Sequence, residues 1–155
     1  MALILPKQLK LTHRVLKNVA KPITFEHPVQ LSKLAIDMHE LMAKENGIGL
    51  AAPQIGISRR LFVMNVNGVP RSCFNPEILH PTTDQLFTYN EGCLSFPKVF
   101  FDISRPRKIL ARYQDFLGNW EEHELEELEA ICYQHEYDHL DGIVMHDRYE
   151  SGKQI

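Results

Sequence analysis

No stretch of this chain approaches the ~20 consecutive apolar residues that a membrane-spanning helix needs, so a bilayer is not among its expected partners. Basic residues are not in excess either. Seventeen Lys and Arg against 20 Asp and Glu leave a net charge of −3, which gives no electrostatic case for nucleic acid or an anionic lipid surface. Cysteine is scarce and odd in number, at Cys73, Cys93 and Cys132. Such a set does not make a disulfide framework, and each thiol is read as a small buried hydrophobe or a metal ligand. The apolar opening Met1-Ala2-Leu3-Ile4-Leu5 is broken by Pro6 and Lys7. It is too short for a secretory signal, so a cytoplasmic chain is expected. Repeats, low-complexity tracts, linkers and coiled-coil heptads are missing as well. One domain over residues 1–155, long enough for a proper core and working as a monomer, is the expectation.

What stands out instead is Gln134-His135-Glu136-Tyr137-Asp138-His139. On a helix, residues four apart lie one above the other, so His135 and His139 can hold one metal ion. Glu136 sits one position round, beside the metal and not on it, where a carboxylate can take a proton from water. At about 100° per residue, Leu128, Cys132, His135 and His139 share a stripe roughly 60° wide. Leu125 flanks that stripe, and Glu127 and Glu129 fall off it. Glu122, Glu124, Glu126 and Glu127 are expected at the helix start, where acidic groups suit the dipole. Gly142 is expected just past its C-terminal end.

Upstream, Leu31, Leu34, Ala35, Met38, Leu41 and Met42 recur at three and four and predict an amphipathic helix over residues 28–46, ended by Asn46-Gly47. His39, within it, reads as a surface or boundary histidine. Residues 47–56 offer Gly-x-Gly-x-x-Ala, but a helix precedes and Pro53 follows, so a dinucleotide fingerprint is rejected. A loop is expected there, with glycines that admit a ligand close to the backbone and Gln54 as the side chain able to donate to it. Leu61–Val66 reads as a strand turned by Asn67-Gly68, with a return arm over residues 71–74 stopped by Pro76. A second hairpin joins residues 108–114 to 120–124. The fold class is therefore α+β, with antiparallel β-sheets packed around a C-terminal helix carrying His-Glu-x-x-His.

A catalytic zinc-type site has three protein ligands and an open position. Cys93, Cys132, Cys73 or a distant Glu, Asp or His are candidates for the third. Cys132, His135 and His139 would span about 10 Å of one helix axis, too far for convergence on bonds of about 2.0–2.3 Å. Cys93, in Glu91-Gly92-Cys93-Leu94-Ser95 on a turn or short strand, is favoured.

The segments Gly47-Ile48-Gly49-Leu50-Ala51-Ala52-Pro53-Gln54, Glu91-Gly92-Cys93-Leu94-Ser95 and Gln134-His135-Glu136-Tyr137-Asp138-His139 resemble, in order and spacing, the three signature motifs of peptide deformylase. The resemblance implies hydrolysis of the N-formyl group from nascent formyl-methionyl chains, with the ribosome exit region as a further partner in a bacterial cell or a phage-infected host. It implies Cys93, His135 and His139 as metal ligands and Glu136 as general acid and base. Gln54 and the backbone N–H of Leu94 would stabilise the oxyanion. Ile48, Tyr89, Leu128, Ile131 and Cys132 would line the methionine pocket. Gly49 would contact the peptide backbone, with Leu50, Glu91 and Gly92 beside it, and Glu91 and Arg105 would pair behind the Cys93 loop. The implied ion is Fe²⁺, replaceable by Zn²⁺, Ni²⁺ or Co²⁺.

Two departures stand against that pattern. Phe100-Phe101 occupies a stretch where many members carry a basic residue. The sequence ends thirteen residues after Gly142, resembling shortened forms, some of them phage-encoded, in which a long C-terminal helix is dispensable. Two other readings of the histidine pair are weaker. A zincin-type endopeptidase would need a further ligand downstream, where only His146 and Glu150 remain. A structural metal module would need a fourth ligand and would leave Glu136 without a task.

Overall fold

A computed structural model describes residues 5–153 of the chain; residues 1–4 of the apolar opening lie outside the described part. In order, the elements are α1 (Pro28–Lys44), β1 (Gly49–Ala51), a 3₁₀ turn (Ala52–Ile55), β2 (Leu61–Val66), β3 (Val69–Pro81), β4 (Leu86–Cys93), β5 (Phe96–Pro106), β6 (Lys108–Gln114), β7 (Trp120–Glu126), α2 (Leu128–Leu140) and α3 (Met145–Lys153). Five antiparallel strands make one sheet in the order β1-β2-β3-β6-β7, and β4 and β5 pair as a separate ribbon. The α+β class holds, with antiparallel sheets and a C-terminal helix.

Strand β2 shows why the molecule has two cores. Successive side chains of a strand point to opposite faces. Leu61 and Val63 join Leu31, Leu34, Ala35, Met38 and Met42 of α1. Phe62, Met64 and Val66 join Ala130, Cys132, Tyr133 and Leu140 of α2. Both faces are covered, so the strand is apolar at every position but Asn65. Phe62 meets the edge of the Tyr133 ring at 4.9 Å, and the Tyr133 hydroxyl donates to the carbonyls of Glu77 and Arg112 at 3.0 and 3.2 Å. Truncating Phe62 to Ala would cost about 3–5 kcal/mol. Cys73 is a packing residue of this core, as its place in the return arm implied.

Helix α1 begins on a proline, whose missing N–H has no partner in a first turn anyway. Asn46 then reverses the chain at φ 59°. Helix α2 is buried nearly all round, ten of its thirteen residues being shielded from solvent. The two histidines therefore sit in a helix buried nearly all round and not on one stripe of an amphipathic one. Gly142 follows it at φ +72°, the left-handed residue expected past the end.

Elsewhere the structure departs from what the sequence predicts. Glu122, Glu124 and Glu126 belong to β7, and α2 starts only at Leu128. Leu125 is the inward residue of that strand, not part of the helix stripe. Strand β3 runs past Pro76, because the pairing with β6 is irregular between Phe74 and Glu77 and the proline removes no ladder bond there. Residues 47–56 are not a plain loop: Gly49, Leu50 and Ala51 pair with Met64, Val63 and Phe62. The β4–β5 ribbon and α3 are additions that the sequence reading did not contain.

Candidate metal centre

Strand β4 ends at Cys93, and its long ribbon with β5 leans over α2. The ribbon register breaks between Gly92 and Cys93, which then pairs with Phe96. Ligand atoms of Cys93, His135 and His139 all lie within 4.8 Å of one another. Cys93 Sγ is 3.4 Å from His139 Nε2, and the two imidazoles stand edge to face at 5.0 Å. His139 is fully buried and His135 nearly so.

Glu91, two residues before the thiol, accepts from His135 Nδ1 at 2.8 Å, which leaves Nε2 for an ion. Arg105 grips the same carboxylate with Nε at 2.6 Å and Nη2 at 3.0 Å. Its Nη1 donates to Asp138 at 2.8 Å. The Glu91–Arg105 pair is thus 3% and 5% exposed and touches the His135 ring, unlike a surface pair of little worth. Burial pushes the Glu91 carboxyl up, but the bonds from His135 and Arg105 outweigh it and hold it below its ordinary value. Burial works against charge on His135 too, yet its bonds to Cys93 and Glu91 lift it to about 10 in the metal-free protein. A metal would displace that proton. Burial, with His135 beside it, holds His139 well below the ordinary histidine value, the neutral form that ligates.

Two buried polar atoms have no hydrogen-bond partner among the described residues here, His139 Nδ1 and Glu136 Oε2. Such orphans are uncommon in buried positions. Glu136 Oε1 lies 4.0 Å from His135 Nε2, and burial lifts its carboxyl to about 7. The donor set, one thiol and two imidazoles with a free carboxylate adjacent, fits a divalent ion of borderline softness.

The centre opens into a cleft of about 530 Å³. Ile48, Gly49, Tyr89, Glu91, Gly92, Leu94, Leu128, Ile131 and Cys132, all singled out by sequence, line it together with Cys93, His135 and Glu136. Leu50 does not; its side chain is fully buried in the α1 core. Cys132 stands outside the ligand group, its Sγ directed to the Ile48 carbonyl at 3.6 Å, and burial raises its thiol well above the ordinary value. Gln54 is 1% exposed. Its carbonyl accepts from Ala51 N–H at 2.9 Å, and its amide donates to Ser95 Oγ at 3.0 Å while facing Cys93 Sγ at 3.5 Å.

Sequence reasoning gave no role to Ser95, which orients Gln54, or to Asp138, which backs Arg105. Both stand inside the quoted motifs, and a buried hydroxyl or carboxylate in such a place is signal enough. Asn46 and Lys98 also line the cleft, as does Phe100 of the stretch that departs from the family pattern.

The profile of the family described as Polypeptide deformylase matches residues 7–154. A peptide deformylase of Thermotoga neapolitana is 43% identical over 141 residues, covering 91% of this chain and 85% of that protein. The crystal structure of the Thermotoga maritima peptide deformylase superposes with a TM-score of 0.87 at 41% identity, over 92% of this chain and 98% of that one. That of Synechococcus elongatus, in complex with actinonin, gives 0.85 at 34% identity, over 94% and 83%. With profile, sequence and fold in agreement over nearly the whole length, the chain belongs to the polypeptide deformylase family.

Proposed function

We propose that the protein hydrolyses the N-formyl group from the N-terminal formyl-methionine of new polypeptides, releasing formate, and that Cys93, His135 and His139 hold the metal it needs. The observation that carries this reading is the juxtaposition of those three donors with the Glu136 carboxylate, whose Oε2 has no partner among the described residues, at the floor of a peptide-sized cleft. When bound, the ion polarises the formyl carbonyl and lowers the pKa of water from 15.7 toward about 7.

The chain's own residues supply the rest. Glu136 accepts the proton of the attacking water and returns it to the departing amine. In the metal-free protein burial raises its carboxyl, which makes the proton easier to accept. Gln54, its carbonyl end tied to Ala51, presents its amide where the oxyanion develops, and the Leu94 N–H is the second donor. The apolar walls from Ile48, Leu128, Ile131 and Cys132 take the methionine side chain, and Tyr89, Glu91 and Gly92 border the peptide. Gly49 lets the substrate backbone lie against β1.

The donor set suits several ions, and Fe²⁺ is the resident metal in this reading, with Zn²⁺, Ni²⁺ and Co²⁺ as replacements. The whole chain acts as a single deformylase domain, a monomer in the cytoplasm of a bacterial or phage-infected cell, meeting nascent chains near the ribosome exit. It needs neither nucleic acid nor membrane for the reaction. No described helix is long and apolar enough to cross a membrane. The test is formate release from a formyl-Met peptide under anaerobic conditions. Formate that disappears with a chelator and returns with Fe²⁺ is the expected result; cleavage at internal peptide bonds without formate would overturn it.

A further inference from the structure

Behind the centre, four charged side chains form one line from α3 to His135. Glu91 holds the His135 ring, Arg105 holds Glu91, and Arg105 Nη1 reaches Asp138 Oδ2 at 2.8 Å. Asp138 is gripped from the far side by Arg148, with Nε on Oδ2 at 2.9 Å and Nη2 on Oδ1 at 2.7 Å. Two carboxylates thus face two guanidiniums. Three of the four groups are sealed from solvent, and Arg148 alone reaches the surface, its side chain 46% exposed.

Removing Arg148 would leave Glu91 and Asp138 to share one guanidinium in a dry interior. A buried charge deprived of its partner is costly, and the guanidinium still in contact with Asp138 is that of Arg105. Arg105 would be pulled toward Asp138, and its two-pronged hold on Glu91 would loosen. Glu91 in turn fixes which His135 nitrogen faces an ion and at what angle, and such outer partners tune metal affinity.

We propose that Arg148 is a positioning residue for the metal centre, acting through Asp138, Arg105 and Glu91 to fix the His135 ring. The proposal rests on the reading of His135 as a metal ligand. It assigns α3 a task beyond covering the ribbon. Helix α3 has independent anchors: Met145 is 1% exposed, the His146 ring packs on Phe96 and Phe101 at 4.5 and 4.9 Å, and Asp147 binds Lys17 at 2.8 Å. Loss of Arg148 therefore need not undock it.

The experiment uses the full chain loaded with Co²⁺, read by its visible spectrum and by competition with a chelator well below the melting temperature. The parent should show a thiolate-to-cobalt band; its absence would sink the ligand reading itself. Given that band, Arg148→Met should weaken Co²⁺ affinity about 10-fold, the low end for an outer partner, and shift the ligand-field bands. Arg148→Lys, which restores charge without the two-pronged grip, should fall between Met and the parent. Lys17→Met, which loosens α3 at another point, should leave spectrum and affinity at the parental values. Parental affinity and spectrum in Arg148→Met overturn the proposal, whatever its melting temperature. An equal loss of affinity in Lys17→Met overturns it too, since helix docking would then be the cause. Should Arg148→Met fail to fold, Arg148→Lys decides: reduced affinity supports the line and parental affinity refutes it.

Discussion

Gly49 lies so close to Glu136 that a Cβ built on it would come within 2.5 Å of the carboxylate Oε1, and 2.9 Å from Cys132 Sγ. The space beside Glu136, the proton carrier of the proposed mechanism, admits a glycine only. Gly49→Ala should push Glu136 aside while leaving the three donors in place. Since a displacement of about 1 Å can cost about 10²-fold, kcat should fall by that order with metal content unchanged. Activity assays beside metal analysis of the same preparation check it; unaltered kcat would mean that Glu136 is not held where it must act.

In the proposed mechanism Glu136→Gln keeps the shape and removes the base. The expected loss in kcat is ~10²–10⁴, with the metal retained. As the working form is the carboxylate, parental activity should fall as pH drops through its value in the loaded enzyme. That acidic limb of the kcat/KM profile should be missing from the residual activity of the variant.

The three thiols should differ sharply in reactivity. Burial raises Cys73 and Cys132 well above the ordinary thiol value, whereas Cys93 is only half-buried at the cleft. The thiolate is the reactive form, so iodoacetamide should label the metal-free protein at Cys93 first. Bound Zn²⁺ should slow that labelling strongly. Peptide mass mapping reads the site, and early labelling at Cys132 would contradict the assignment.

Glu91→Gln breaks a buried pair on one side and should cost about 3–5 kcal/mol in urea unfolding, together with about 10–100-fold in metal affinity. The pH dependence follows from the lowered Glu91 value. Its folded-state value lies below the unfolded 4.5, so its contribution is complete above 4.5 and is lost as pH falls through the folded value. The parent should therefore lose stability over that acidic range more steeply than the variant. Parallel curves would show that Glu91 is not held by His135 and Arg105.

How far the sequence could be read depended on which faces the fold buries. Leu61–Val66 and the return at Asn67-Gly68 were legible because the turn chemistry and the apolar run are both local. So were the helix over residues 28–46, to within two residues of α1, and the grouping of Cys93 with the histidine pair. The glutamates before α2 misled: in β7 they alternate with His123 and the buried Leu125, a period of two, and their charge suited a helix start as well as an exposed strand face. The β4–β5 ribbon left little pattern, since β4 buries only Glu91 along its length. The meeting of Asp138 with Arg148 left no trace in the sequence, because it depends on how α3 folds back.

In the proposed centre one thiolate and two imidazoles hold the ion with a further position open. X-ray absorption at the zinc edge of the zinc-loaded protein tests it most directly. One sulfur at about 2.3 Å with two nitrogens at about 2.0–2.1 Å and one further light atom is the predicted shell, and the sulfur should vanish in Cys93→Ser. A shell without sulfur, or one whose sulfur persists in that variant, would contradict it.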